Sequence, residues 1–150
     1  MSTLQKIEQF IAQRHIAVVG VSGNPRKFGN AIFNELKKQG YIVYPVSKHL
    51  TEFEGENCYP DVASLPSEVT AIVINTKPEQ TEIIMKQAQE KNISNIWLQQ
   101  GSSNARIVAD ASISESNVIA GQCIMMFAHP THVMHRAHIF VNKLFRIYPN

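Results

Sequence analysis

Five short apolar runs recur along the chain with helix-length segments between them, and this alternation limits its folds more than any other feature. The runs are Ile16–Val21 (IAVVGV), Tyr41–Val46 (YIVYPV), Thr70–Asn75 (TAIVIN), Ile93–Gln99 (ISNIWLQ) and Asn117–Gln122 (NVIAGQ). The first is a β-branched run of the kind found in strands buried on both faces. Helical spacing fills the gaps. Leu4, Ile7, Phe10 and Ile11 make an apolar stripe behind a Ser2 or Thr3 cap. Ile32, Phe33 and Leu36 make a second, with Lys37 and Lys38 in the last turn and Gly40 as the stop. Pro78 opens a third helix whose Ile83, Ile84 and Ala88 are expected to face inward. Residues 103–114 (SNARIVADASIS) predict a fourth helix, and Thr131 to Phe145 a final amphipathic one. Ser47 to Glu68 is polar and broken by Gly55, Pro60 and Pro66, so it reads as a long loop with at most one short helical turn. Strands alternating with helices of this length imply a parallel sheet covered on both faces. The expectation is one Rossmann-like, doubly wound α/β domain over residues 1–150, with a five-stranded parallel sheet in the order 3-2-1-4-5.

Composition narrows the partners. With 44% hydrophobic and 17% charged residues, the 150-residue chain has a globular make-up and enough length for a core. A net charge of +2 demands no basic face, so no nucleic-acid partner is expected. No run approaches the ~20 apolar residues of a membrane span. The first fifteen residues carry charges throughout and do not read as a signal peptide. Cys58 and Cys123 are the only cysteines, too few for a disulfide framework, so a cytoplasmic setting is expected.

In a sheet of this kind ligands sit outside the carboxyl ends of the strands. The first such loop, GVSGNPRKFGN, carries Gly20, Gly23 and Gly29, a spacing that does not satisfy G-x-G-x-x-G. Its backbone amides at Gly20, Val21 and Ser22 onward, with the helix that follows, still suit an anion. Arg26 and Lys27 add cationic groups, and a plain surface loop is the alternative. The second loop reads PVSKH, with no acid before Glu52 where an NAD-binding domain usually places one for the ribose hydroxyls. Lys48 would attract a phosphate on that ribose. NADP and coenzyme A both carry one. No pair of residues is spaced for acid–base, nucleophilic or hydride-transfer work, so binding without catalysis is the expectation.

The stretches AVVGVSGNPRKFGNAIFNELKKQGYIVYPV, YPDVASLPSEVTAIVINTKPEQT, IWLQQGS and VIAGQCIMMFAHP together resemble the small stand-alone CoA-binding proteins. These are similar to the CoA-binding Rossmann domain that opens the alpha subunit of succinyl-CoA synthetase. The likeness runs in order from about Ile16 to Phe145. It implies that CoA or an acyl-CoA is the ligand, with its phosphates on Ser22, Gly23, Asn24 and Pro25 beside Arg26 and Lys27. It implies that Lys48 meets the phosphorylated adenosine end and that Thr76, Lys77 and Pro78 flank the nucleotide. Leu98, Gln99 and Gln100 would approach the pantetheine arm. Relatives often carry VNP where this chain has VSK. The synthetase's second domain, which bears its phosphorylated histidine, is expected to be absent, so synthetase activity does not carry over. An NADP-dependent oxidoreductase is the alternative from another class.

The segment CIMMFAHPTHVMHRAHIF gathers Cys123, His129, His132, His135 and His138. On a helix the last three would drift by about 60° per step, and neither CxxC nor H-E-x-x-H spacing is present. Packing or a contact between subunits of a homo-oligomer is expected ahead of a metal or partner-binding module. Cys123 follows the fifth strand, where a pantetheine thiol would end, and is a candidate thiol contact; a buried apolar cysteine is the alternative.

Overall fold

The computed structural model describes residues 2–128. In chain order these are α1 (Thr3–Ile11), β1 (His15–Val19), α2 (Phe28–Lys38), β2 (Ile42–Val46), β3 (Glu52–Phe53), β4 (Glu56–Asn57), β5 (Ala71–Ile74), α3 (Pro78–Glu90), β6 (Asn95–Leu98), α4 (Ala105–Ser112) and β7 (Asn117–Ala120), then a single 3-10 turn at Ile124–Met126. The histidines from His129 onward and the helix predicted over Thr131 to Phe145 lie outside the described residues.

Local chemistry sets the helix ends. Ser2 closes a reciprocal capping box, its hydroxyl accepting from the Gln5 amide at 3.2 Å while the Gln5 side chain accepts from the Ser2 amide at 2.8 Å. Asn104 caps α4 by accepting from the Ile107 amide at 2.9 Å. Pro78 stands at the first turn of α3, where the missing N–H goes unneeded.

The main sheet is wholly parallel with order β2-β1-β5-β6-β7. Successive residues of β1 face opposite layers, as strand pleating dictates. Ile16 and Val18 join the core under α1 and α2, where Phe10, Phe33 and Trp97 are buried. Ala17 and Val19 join the core on the opposite face, with Met85 and Ala88 of α3 and Ile107 of α4. Each fully buried aliphatic or aromatic side chain contributes about 1.5–3 kcal/mol, so the two layers share the stabilising load.

The doubly wound parallel fold expected from the alternation is therefore present, but its strand order is not 3-2-1-4-5. Counting only the five long strands, the order is 2-1-3-4-5. The reason lies in Ser47–Glu68, which holds the β3–β4 hairpin where a loop was expected. After the hairpin the chain returns along the outer edge of β2: the Ser47 amide donates to the Tyr59 carbonyl and the Tyr59 amide to the Pro45 carbonyl, both at 2.9 Å. That edge is taken at its carboxyl end. The next long strand, β5, pairs on the far side of β1 instead, in register from Ile16–Ala71 to Val19–Ile74. The point where strand order reverses thus falls between β1 and β5.

Candidate functional site

The carboxyl ends of β1, β2 and β5 meet at that reversal, and the β1–α2 loop dominates it. Gly20 has φ +117, and a Cβ there would collide with the Asn75 carbonyl oxygen. Gly29, in the first turn of α2, lies so close to the end of β1 that a Cβ would run into the Gly20 carbonyl oxygen. Two glycines nine residues apart therefore perform the tight-turn and close-packing roles that a G-x-G-x-x-G motif concentrates in six. Gly23 is under no such constraint, since a Cβ there would meet only the Leu50 side chain at 3.8 Å.

Asn30 ties the loop down, and no expectation from the sequence included it. Buried beneath the loop, its Oδ1 accepts from the Ser22 amide at 2.8 Å. Its Nδ2 donates to the carbonyls of Ser22 at 2.8 Å and Asn24 at 3.1 Å. The Asn24 amide donates to the Ser22 hydroxyl, and the Arg26 amide to the Asn24 Oδ1, both at 3.1 Å. A signal was present: Asn30 lies three residues before Phe33, a polar residue on the buried stripe of α2. The loop ends at Lys27, where α2 starts with no side-chain cap. Its first amides therefore have no side-chain cap, at the positive end of the helix dipole.

A cavity of about 230 Å³ opens beside this loop, between the ends of β1 and β2 and the exposed flank of α3. Gly20, Val21, Lys48 and Thr76, all expected site residues, line it together. Ser22, Gly23, Asn24, Pro25, Arg26 and Lys27 form the adjoining loop outside that lining, most of it exposed. Lys77 and Pro78 begin α3 at the cavity's edge; the Thr76 and Thr81 hydroxyls pair at 3.0 Å and Thr81 also donates to the Lys77 carbonyl, which fixes this turn. The second loop is fixed as well. The His49 amide donates to the Ser47 hydroxyl at 3.3 Å, and Ser47 is held to Tyr59 as above. Behind it sits Cys58, whose thiol is pushed above its ordinary pKa by burial.

Sequence reasoning missed several wall residues. Asp61 and Val62 come from the segment after the hairpin, and Gln80, Ile83 and Ile84 from α3. Ile83 was expected to pack inward; instead it is 61% exposed at the cavity, and Thr81, Met85 and Ala88 fill the inward face of α3.

The carboxyl ends of β6 and β7 form a second, tighter cluster. Leu98 is wholly buried in the core, and Gln100 is exposed. Gln99 is buried and committed: its Nε2 donates to the Cys123 sulfur at 3.1 Å and its Oε1 accepts from the Ile124 amide at 3.1 Å. Cys123 is half-buried. Among the described residues no group of three His, Cys, Asp or Glu side chains is gathered to hold a metal.

Comparison with known proteins places the chain in a family. The alpha subunit of an ADP-forming acetate–CoA ligase II from Pyrococcus furiosus is 32% identical over 91 residues, 60% of this chain and 20% of that protein. The chain thus spans about a fifth of the length of that curated relative. A conserved hypothetical protein from the same organism superposes with a TM-score of 0.71 at 36% identity, covering 75% of this chain and 97% of that one. A hypothetical protein from Pyrococcus horikoshii gives 0.75 at 28% identity, covering 83% and 88%. The family described as "CoA binding domain" matches residues 14–129, from the start of β1 past the last described element. A crevice at the strand reversal and a family match across the whole sheet lead to one assignment: the chain belongs to the CoA binding domain family.

Proposed function

We propose that this chain binds coenzyme A or an acyl-CoA along the carboxyl edge of the sheet, as a single domain and without catalysing a reaction of its own. The carrying observation is that Lys48 and the Gly20–Val21 turn line one cavity at the strand reversal. The adenosine end lies in that cavity, its ribose phosphate near Lys48 and its nucleotide flanked by Thr76, Lys77 and Pro78. The diphosphate lies over the loop from Ser22 to Lys27, against the uncapped start of α2, where amides and the helix dipole favour anions. The pantetheine arm then passes the ends of β5 and β6. Because Leu98 is buried and the Gln99 side chain is engaged, the contacts there come from backbone and from Gln100. The arm ends toward Cys123, whose thiol already receives a hydrogen bond from Gln99.

Such a chain would hold or deliver CoA in the cytoplasm. Native mass spectrometry of the purified protein with an equimolar mixture of CoA, NADP and NAD tests the reading. A single dominant adduct of CoA mass is expected. A dominant NADP adduct would instead favour the oxidoreductase reading.

A further inference from the structure

We propose that His49 is a second cationic ligand for the ribose phosphate of CoA, so that selectivity for CoA over dephospho-CoA strengthens as pH falls. This rests on the CoA reading above and adds a residue to it. Lys48 and His49 are adjacent, and both line the cavity beside the first phosphate loop. Their loop is pinned from two directions, by the His49 amide on the Ser47 hydroxyl and by the Ser47 amide on the Tyr59 carbonyl. Such a loop leaves its backbone little freedom to lose on binding.

The charged or titratable groups lining the cavity are Lys48, His49 and Asp61. Lys77 caps α3 at its edge, and Arg26 and Lys27 stand on the neighbouring loop. Asp61 is partly occupied, its Oδ1 accepting from the Ser64 amide at 2.9 Å. A phosphate monoester here therefore meets one permanent cation in Lys48 and one conditional cation in His49.

The sign follows from linkage. A bound phosphate favours the charged form of a neighbouring imidazole. Affinity is therefore gained as pH falls and lost as pH rises. A phosphate monoester keeps its second charge down to about pH 6, so the effect is open between roughly pH 6.5 and 8.5. Dephospho-CoA lacks the phosphate and should show no such dependence.

The test is calorimetric titration of the full chain with CoA and dephospho-CoA at pH 6.5 and 8.5, repeated with His49→Gln and His49→Lys. The ratio of the two affinities is expected to be about two- to threefold larger at pH 6.5 in the parent, the scale of one exposed charge pair. It should not change with pH in His49→Gln, and should stay high at both pH values in His49→Lys. CoA binding whose selectivity is the same at both pH values, or whose pH dependence survives in His49→Gln, overturns the role of His49 and leaves CoA binding standing. Failure to bind CoA at either pH overturns the underlying reading and this inference with it.

Discussion

Asn30 does for the β1–α2 loop what no main-chain ladder can: with two carbonyls and one amide of the loop bound to its carboxamide, the loop acquires a fixed shape. Replacing it by Ala would leave the Ser22 amide and two carbonyls to find water, at a cost of about 1–3 kcal/mol. Urea denaturation should register that loss as a lower midpoint with an unchanged slope, and CoA affinity should fall along with it. A midpoint equal to the parent's would mean the loop holds itself. Titration gives a second prediction at this scale. Burial, helped at Tyr44 by the Glu68 carboxylate, raises the Tyr44 phenol above its ordinary 10.0, and burial alone raises Tyr41. Cys58 is raised above 9.0 by the same cause. Each holds its proton more tightly when folded than when unfolded, so its contribution is full below the ordinary value and is lost as pH rises from there through the raised value of the folded state. The thermal midpoint should fall steadily from about pH 9 upward, and Tyr41→Phe should flatten that slope. A midpoint level up to pH 11 would contradict the assignment.

Among the elements, what could be read in advance followed from hydrophobic period. The five long strands and four helices were legible because each is an apolar run or stripe, and strand ends shifted by only a residue or two. The β3–β4 hairpin was not, since two-residue strands carry no period and Glu52, Glu56 and Asn57 are exposed. The strand order followed that omission, because only the hairpin's return along β2 shows which edge is already taken. In α3 the phase slipped for a different reason. Thr81, a polar residue, takes an inward position by bonding Thr76 and the Lys77 carbonyl, which leaves Ile83 to the cavity. The loops that meet at the reversal should respond to ligand as a unit. Hydrogen exchange with saturating CoA is expected to slow at residues 20–30 and 46–49 and to leave the opposite ends of β6 and β7, at Asn95 and Asn117, unchanged. Protection confined to those opposite ends would place the ligand elsewhere.

Across the whole molecule, the sheet sets the scale of the ligand. From Lys48 after β2 to Cys123 after β7 there are four strand-to-strand steps, roughly 19 Å at about 4.8 Å each, along one edge that begins with cations and ends with a thiol. The proposed ligand, with a phosphorylated head and a sulfur tail, would need such a span, which is why the loops had to be read together. Lys48 and the missing acid near it were legible in sequence because charge sign is written there; Asp61 and Ile83 were not, because only the folded chain brings them to the same cavity. Among the described residues no helix is long and apolar enough to cross a membrane. The central claim is that this edge selects CoA through its ribose phosphate. Titration calorimetry of the parent and Lys48→Glu with CoA, acetyl-CoA, NADP and NAD tests it most directly. The account predicts one CoA or acetyl-CoA per chain, a loss of about tenfold or more when Lys48→Glu sets like charges together, and no comparable binding of NAD. Tight NADP binding with no heat from CoA, or CoA affinity indifferent to Lys48→Glu, would contradict it.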